Sequence, residues 1–252
     1  MNYKNIKVEK RENYAIIEIA NNKNNSLDQK TLNEISNATK KLNKIKKIKC
    51  IGLIGNSKFF SPGADIKELK NLNSTKAKNI KLFSKMDSFQ KIDIPIISFV
   101  EGYALGGGFE LALSTDIIIA SDKASFGLPE INLGLIPGIG GTQKTKKFTS
   151  IQNTKRLAFT GDIINSAKAM SMGIVSEIVP SENFKSFTIG FLENISSKPR
   201  NTLIIIKKLI NKSEPYQVAI KQEREEFYKL LDGKNKKIGI ESFLNKSKPK
   251  WK

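Results

Sequence analysis

The chain reads Gly106-Gly107-Gly108-Phe109-Glu110-Leu111-Ala112-Leu113 near its middle. Three consecutive glycines let the backbone approach a ligand or a neighbouring segment closely, because they carry no Cβ atom. The apolar run behind them predicts the start of a helix, and the first N–H groups of a helix lack an intrahelical acceptor. The stretch therefore predicts a site at which backbone N–H groups face a ligand, with the Glu110 carboxylate in the same turn.

A second glutamate, Glu130, follows within the run Phe126-Gly127-Leu128-Pro129-Glu130-Ile131-Asn132-Leu133-Gly134. A carboxylate beside a backbone donor suits acyl chemistry, in which the N–H stabilises an oxyanion while the carboxylate moves a proton. A plainer alternative stays open at this point. A glycine triplet also serves tight packing, and a glutamate at a helix start also serves the helix dipole.

Glycine precedes a predicted helix at two further corners, that is, at two further loops that lead into a helix. The run Ile51-Gly52-Leu53-Ile54-Gly55 is typical of a buried strand, and the loop Ser61-Pro62-Gly63-Ala64-Asp65 then leads into a helix. Asp65 and Glu68 have the spacing of a capping box, with Asp in place of Ser or Thr. The run Gly138-Ile139-Gly140-Gly141 is another such approach. Two corners are the minimum for an oxyanion hole if each presents one backbone N–H.

Composition limits the chemistry that this chain can perform. Its 252 residues, 39% of them hydrophobic, suffice for one domain with a sizeable core, or one domain with a helical appendage. The absence of histidine excludes Ser-His-Asp and Cys-His catalysis and histidine-ligated zinc, and we expect no metal site. The single cysteine, Cys50, excludes an intrachain disulfide and favours a reducing compartment.

Location is predicted from hydropathy. No apolar run approaches twenty residues, so we expect no membrane-spanning segment. Strand-like sequence begins near Ile6, which leaves too little room for a targeting peptide. The sequence therefore predicts a cytoplasmic protein.

The formal net charge of +19 raises the question of a polyanionic partner. Lys40, Lys44 and Lys47 recur at helical spacing, and such a stripe attracts phosphate without regard to sequence. However, only four of the 43 basic residues are arginine, which is the better bidentate phosphate ligand. We therefore expect a solvated helix face and no nucleic-acid partner, with a positive field that suits a small ligand bearing phosphates.

The periodicity of apolar residues predicts an α/β fold. Strands are expected near Ile6 and at residues 15–19, 50–54, 96–100 and 116–120, and helices at residues 32–45 and 82–89, the latter led by a cap at Ser74. Beyond Pro199 the pattern is all helical, at residues 202–212, 215–231 and 236–246. We therefore divide the chain into a core with the active site, residues 1–198, and a helical region, residues 199–252.

Taken in order, the loop at residues 61–65, the glycine triplet with Glu110 and the loop around Glu130 resemble the crotonase family, also called the enoyl-CoA hydratase/isomerase superfamily. The run Asn25-Ser26-Leu27-Asp28 resembles its first ligand loop, and residues 239–249 resemble its closing helix. The resemblance implies a spiral of ββα units with two roughly perpendicular sheets. It also implies a C-terminal helical region for trimerisation.

The resemblance assigns roles to particular residues. It implies that Glu110 and Glu130 are the catalytic pair and that the backbone N–H groups of Ala64 and Gly107 form the oxyanion hole. It implies contacts with a coenzyme A thioester for a further set: Ser26, Leu27, Gly63, Asp65, Ile66, Lys67, Gly106, Pro129, Phe243 and Lys246. The last two would contact a ligand held by the same or a neighbouring subunit, and a packing aromatic and a surface lysine remain the alternative.

Two more features follow from the same resemblance. Residues 67–92 are expected to border the acyl pocket. Lys144 follows Gln143 where the family commonly has arginine, so an ion pair at that position is expected to be weaker or absent.

The function implied is that of an enoyl-CoA hydratase, a hydro-lyase of fatty acid metabolism that adds water reversibly and syn to trans-2-enoyl-CoA. The substrate is a coenzyme A thioester, no cofactor is expected, and the assembly implied is a homotrimer or a hexamer. Within the fold, the alternatives are a Δ3,Δ2-enoyl-CoA isomerase, a decarboxylase and a thioester hydrolase. A remote alternative is a non-catalytic protein that binds RNA or another polyanion through its lysines.

Overall fold

The computed structural model describes residues 2–22, 24–89 and 91–251. The strands are β1 Ile6–Lys10, β2 Tyr14–Ile19, β3 Cys50–Ile54, β4 Phe59–Ser61, β5 Ile96–Val100, β6 Tyr103–Leu105, β7 Ile117–Ser121, β8 Ser125–Gly127, β9 Ile163–Asn165 and β10 Glu177–Val179. The helices are α1 Gln29–Asn43, α2 Ile66–Lys70, α3 Ser74–Asn79, α4 Ser84–Phe89, α5 Gly107–Ala112, α6 Gly141–Phe148, α7 Ile151–Thr160, α8 Ser166–Ser171, α9 Phe184–Ser196, α10 Arg200–Asn211, α11 Tyr216–Leu231 and α12 Lys234–Leu244. Pro129–Leu133 and Ser181–Asn183 form short 3₁₀ helices.

The strands form two sheets. The larger has the order β1-β2-β3-β5-β7-β10, and the smaller has the order β4-β6-β8-β9. Among the described residues, β1 pairs antiparallel with β2 and β8 with β9, and the other paired strands are parallel. The predicted α/β class is confirmed.

A repeated unit connects the two sheets. A long strand of the larger sheet is followed by a short strand of the smaller sheet and then by a helix, as in β3-β4-α2 and β5-β6-α5. Because β4 and β6 are parallel neighbours, their carboxyl ends lie at the same edge, and α2 and α5 begin there. The repeat therefore brings the two glycine-containing corners together.

Burial explains why these segments adopt their structures. The residues of β5 are buried throughout, which fits a continuous apolar strand covered on both faces. The amphipathic helix α1 buries its apolar side, including Leu32, Ile35 and Leu42, in the main core. Asp28 caps α1 by accepting a hydrogen bond from the N–H of Thr31 at 2.6 Å.

Two local predictions were wrong in detail. The helix expected to lead from Ser74 to Phe89 is divided into α3 and α4, and Asn73 is the cap of α3. Asp65 does cap α2 through the N–H groups of Lys67 and Glu68. Glu68 does not return the bond, because its Oε2 accepts from the N–H of Gln29 at 3.1 Å instead. The capping box is therefore half formed, and its glutamate connects α2 to α1.

The first helix of the C-terminal region, α10, is attached to the core by basic side chains. Lys207 lies 2.7 Å from the Asp116 carboxylate in a largely buried ion pair. Arg200 donates to the carbonyl oxygens of Ile48 and Asn43 at 3.0 and 2.7 Å. The division at residue 199 remains a prediction.

In the part of the chain that the structure describes, no helix has the length and hydropathy needed to cross a membrane.

Candidate active site

Two backbone amides meet where β4 and β6 end. Gly63 accepts a hydrogen bond from the N–H of Leu27 through its carbonyl oxygen at 2.8 Å. Because a trans peptide directs its C=O and N–H to opposite sides, the Ala64 N–H of the same peptide unit points away from Leu27. A Cβ built on Gly107 would lie 3.6 Å from the Ala64 nitrogen. The two amides predicted for the oxyanion hole are therefore neighbours.

The Gly107 amide is available because of its position in α5. Gly107 is the first residue of α5, so its N–H has no acceptor within the helix. Gly106 precedes it with φ +49° and ψ −125°, a backbone conformation that L side chains rarely adopt. Gly108 follows it, and a Cβ there would lie 2.1 Å from the carbonyl oxygen of Ser61. The triplet therefore serves the fold in two ways: Gly106 adopts the backbone conformation of the turn before α5, and Gly108 lets α5 lie close to β4.

Glu110 lies in the first turn of this helix and is buried, with 2% of its surface exposed. Its Oε1 accepts hydrogen bonds from the N–H groups of Ile139 at 2.7 Å and Gly141 at 2.6 Å. Both donors belong to the glycine-rich turn that begins α6. Burial raises the pKa of Glu110 above its ordinary value, whereas these N–H groups and the ammonium of Lys144 act to lower it.

Glu130 approaches from the 3₁₀ helix Pro129–Leu133. A Cβ built on Gly106 would lie 3.0 Å from its Oε1, so this carboxyl lies directly against the turn before α5. Its Oε2 is buried and makes no hydrogen bond within the described part of the chain. A buried polar atom without a partner is uncommon and points to a ligand or a water molecule.

The two carboxyl groups interact but have different surroundings. Burial raises the pKa of Glu130 to about 7, and the negative charge of Glu110 adds to the rise. Oε1 of Glu110 accepts from two backbone N–H groups, whereas Oε2 of Glu130 accepts from none, and the hydrogen bond that lowers the pKa of Glu130 comes from its own backbone N–H. The arrangement therefore favours an ionised Glu110 beside a protonated Glu130 near neutral pH.

An apolar cavity of about 60 Å³ opens beside the paired amides. Its lining is largely hydrophobic and comes from α1, α2 and the residues next to them, from the segment between α3 and α4, from the start of α5 and from the turn before α6: Leu27, Gln29, Leu32, Ala64, Glu68, Leu69, Leu72, Leu82, Phe83, Gly107 and Ile139. Neither Glu110 nor Glu130 lines it. Ile139 connects the cavity to Glu110, because its side chain lines the cavity and its N–H binds the carboxylate. Four larger surface grooves, one of them of about 630 Å³, are also lined by neither glutamate.

Comparison with known proteins identifies the family. A family model described as enoyl-CoA hydratase/isomerase matches residues 9–252. The chain belongs to this family. The predicted membership is confirmed, as is the prediction that the chain is an enzyme.

Individual relatives agree with the family assignment. The chain is 37% identical over 229 residues to a "Probable enoyl-CoA hydratase, mitochondrial" of Dictyostelium discoideum, covering 90% of this chain and 83% of the relative. It is 34% identical over 251 residues to a "Probable enoyl-CoA hydratase" of Bacillus subtilis strain 168, covering 94% and 95%. An enoyl-CoA hydratase structure from Bacillus anthracis superposes with a TM-score of 0.94 at 28% identity, covering 99% of each chain. The predicted crotonase fold is thereby confirmed.

The structure places most of the ligand residues expected from the family around the paired amides. Leu27 forms an isolated parallel bridge with Ala64, and Ser26 precedes it in a loop held by the side chain of Asn21. Asp65 caps α2, whose first residues, Ile66 and Lys67, are exposed. Pro129 begins the 3₁₀ helix that carries Glu130.

Phe243 and Lys246 lie elsewhere. Phe243 is 84% exposed near the end of α12, Lys246 follows that helix, and neither lines the cavity. A ligand contact from these two residues, in the same or a neighbouring subunit, stays a prediction.

The sequence did not reveal what holds Glu110. The N–H donors of Ile139 and Gly141 lie 29 and 31 residues away along the chain. The glycine-rich approach to α6 was the available signal, because a helix start preceded by glycine favours a carboxylate. Lys144 was expected to have a weak ion pair or none, and in the described residues it donates to neutral oxygens of Ser114 and Ile139.

Proposed function

We propose that this chain is an enoyl-CoA hydratase, a hydro-lyase that adds water reversibly and syn to trans-2-enoyl-CoA and yields 3-hydroxyacyl-CoA. The observation that carries the proposal is a pair of interacting carboxyl groups in unlike surroundings, together with two neighbouring backbone amides. An isomerase needs only one group to move a proton between carbons, whereas hydration needs one group for water and one for carbon. Retention of both glutamates therefore favours hydration.

The oxyanion hole would act on the thioester carbonyl. When water adds to C3, negative charge moves through C2 to the carbonyl oxygen and forms an enolate. The amides of Ala64 and Gly107 donate to that oxygen, and each donor contributes on the order of 10²- to 10³-fold in rate. Because both donors are backbone groups, no side-chain deletion removes them.

Each glutamate has one proton to move. Ionised Glu110 accepts a proton from the water as its oxygen bonds to C3. Protonated Glu130 then donates its proton to C2, the enolate collapses to the thioester, and the proton that Glu110 gained restores Glu130 through solvent. The reverse reaction exchanges the two roles.

The apolar cavity suits the acyl chain. It lies beside the amides that would hold the thioester oxygen, and its lining includes Leu69, Leu72, Leu82 and Phe83 from the segment expected to border the acyl pocket. The net charge of +19 suits attraction of the phosphates of coenzyme A. The reaction as proposed needs no cofactor.

We also propose a homotrimer or a hexamer formed from two trimers. Large apolar side chains are exposed in the single chain, and they include Ile136, Phe159, Phe227, Phe243 and Leu244. Exposed apolar surface of this kind favours association between subunits. A cytoplasmic location and a place in fatty acid oxidation remain predictions.

A spectrophotometric assay tests the reaction. Hydration removes the conjugated enoyl thioester, so its absorbance falls and the product gains the mass of one water. The isomerase alternative leaves the mass unchanged, and thioester hydrolysis releases free coenzyme A. No turnover of any acyl-CoA, together with salt-sensitive RNA binding that coenzyme A does not displace, would favour the polyanion-binding alternative.

A further inference from the structure

We propose that Lys144 is a positioning residue that holds the carboxylate of Glu110 in place through a closed circuit of hydrogen bonds. The kinetic part of this inference rests on the proposed hydratase function, whereas the circuit itself is a property of the fold. Lys144 is assigned no contact with the substrate.

The circuit begins and ends at Glu110. Lys144 donates from Nζ to Oγ of Ser114 at 2.5 Å and to the carbonyl oxygen of Ile139 at 2.7 Å. Ser114 donates to the backbone carbonyl oxygen of Glu110 at 2.6 Å. Ile139 donates its N–H to the Glu110 carboxylate at 2.7 Å. The backbone and the side chain of Glu110 are therefore connected through one ammonium group.

The stem of Lys144 also packs against the turn that it stabilises. Its Cε lies 3.3 Å from where a Cβ on Gly140 would be, and its own N–H donates to the Gly140 carbonyl oxygen at 2.8 Å. Gly140 has φ +97° and immediately precedes Gly141, the second donor to Glu110. The side chain thus covers the turn that presents both N–H groups.

The position costs the lysine some solvation. Lys144 is half-buried, and burial lowers its pKa. Among the described residues, no carboxylate lies within ion-pair distance of it. Partial burial of an ammonium group costs hydration free energy, and neutral hydrogen-bond partners offset that cost less well than a carboxylate would. Its position is explained if its charge and its two hydrogen bonds serve Glu110.

Charges around the circuit act in known directions. The Lys144 ammonium lowers the pKa of Glu110, and the charges of Glu110 and Asp87 raise the pKa of Lys144. Lys147, one turn further along α6, lowers the pKa of Lys144. Glu130 is the other titratable group beside Glu110. Loss of the Lys144 charge should therefore raise the pKa of Glu110.

Four variants separate positioning from simple loss of charge or of fold. Lys144→Met removes the circuit and the charge, and Lys144→Arg keeps a charged donor. Ser114→Ala removes two hydrogen bonds, the one that Ser114 accepts from Lys144 and the one that it donates to the Glu110 carbonyl oxygen, and no charge. Lys147→Met is the matched control, because it removes a positive charge from the exposed face of the same helix.

For Lys144→Met we expect kcat to fall about tenfold to hundredfold with KM changed less than about threefold, since a catalytic group displaced by 1 Å costs about 10². The acidic limb of the kcat profile should move to higher pH. Lys144→Arg should recover most of the rate, Ser114→Ala should lose part of it with the acidic limb unmoved, and Lys147→Met should match the wild type. Equal effects of Lys144→Met and Lys147→Met, or a wild-type pH profile for Lys144→Met, would overturn the proposal.

The pKa of Glu110 can be measured without any enzymatic reaction, so the circuit can be tested even if the proposed hydratase function is wrong. Titration of ¹³C-labelled glutamate carboxyl groups by NMR, with the Glu110 signal assigned by its loss in Glu110→Gln, measures the pKa of Glu110 directly. The pKa should rise in Lys144→Met and stay unchanged in Lys147→Met. If the hydratase function fails but this rise is seen, the circuit stands without that function, and if the rise is absent in folded Lys144→Met, the circuit is wrong.

Discussion

The carboxyl of Glu130 lies against the backbone of Gly106, so close that a Cβ on Gly106 would be 3.0 Å from Oε1. Gly106 is also the residue that turns the chain into α5 and aims the N–H of Gly107. One glycine therefore borders the proposed general acid and positions one of the proposed oxyanion donors. This relationship makes Gly106 a sensitive point of the site.

Gly106→Ala should damage both stability and turnover. Alanine at φ +49° is strained, which costs about 1–3 kcal/mol of unfolding free energy. Its methyl group would also press on Glu130, and we expect kcat to fall at least about tenfold. Gly190→Ala is the matched control, because Gly190 lies within α9 and a Cβ there meets nothing within 4 Å. That control should be stabilised by about 0.5–1 kcal/mol with normal activity.

Thermal unfolding and steady-state kinetics on the same preparations compare the two glycine variants. Equal behaviour of Gly106→Ala and Gly190→Ala would contradict the packing described at the turn.

Removal of either carboxyl group should stop most of the reaction. Glu110→Gln and Glu130→Gln should each lower kcat by about 10² to 10⁴, since each loses one proton transfer and keeps its shape. The oligomer, measured by size-exclusion chromatography with light scattering, should be unchanged. Glu12→Gln, at an exposed position, serves as the control. Near wild-type hydration by either active-site variant would show that the pair is wrongly assigned.

The pH dependence of kcat/KM should report the two groups. Glu130 must be protonated to donate to C2, so activity should fall as pH rises through about 7, where its pKa lies. Glu110 must be ionised, so activity should also fall on the acidic side. In Glu130→Gln the residual rate should no longer decline above pH 7, and a decline that persists there would assign the limb to another group.

The raised pKa of Glu130 should also make the stability of the fold depend on pH. A carboxylate in an ion pair makes stability rise with pH, whereas Glu130 should make it fall. The pKa of Glu130 is about 7 in the folded protein and near 4.5 when unperturbed. Between these values the native state binds a proton that the unfolded state lacks, so stability falls as pH rises through this window. The melting temperature of Glu130→Gln, relative to wild type, should therefore increase from pH 4.5 to pH 8. A constant difference across this range would mean that the pKa of Glu130 is not raised.

The size of the apolar cavity predicts a preference for short acyl chains. Its volume of about 60 Å³ is well below the roughly 150 Å³ of an apolar cavity that accommodates benzene. We expect kcat/KM to be at least about tenfold higher for a four-carbon than for a ten-carbon enoyl-CoA. Leu72→Ala should enlarge the cavity and narrow that ratio, whereas Leu133→Ala, at an exposed position, should not. A preference of the wild type for long chains would show that the acyl chain lies elsewhere.

Features set by local sequence were predicted well. The apolar spacing in residues 32–45 and the continuous apolar run of β5 gave elements whose bounds agree with the structure within a few residues. The division between α3 and α4 was missed, because Lys81, with φ +50°, occupies the left-handed region that sequence patterns rarely indicate for lysine.

The candidate site was predictable only in part, for physical reasons. Glu110 and the glycine triplet are adjacent in sequence, so their association is local. The contact of Lys144 with Ser114 spans 30 residues and depends on how α6 packs on α5. The ligand contact expected of Phe243 stays a prediction, because its side chain is exposed in the described chain and lies outside the cavity.

Isotope labelling of the product tests the central claim most directly. The enzyme is incubated with a four-carbon trans-2-enoyl-CoA in water enriched in ¹⁸O and deuterium, and the product is examined by mass spectrometry and NMR. The account predicts one ¹⁸O at C3 and one deuterium at C2, added syn, and formation of this product about 10² to 10⁴ times more slowly in Glu130→Gln and in Glu110→Gln. A product that gains deuterium without ¹⁸O, or labelled product formed at the wild-type rate by either variant, would contradict it.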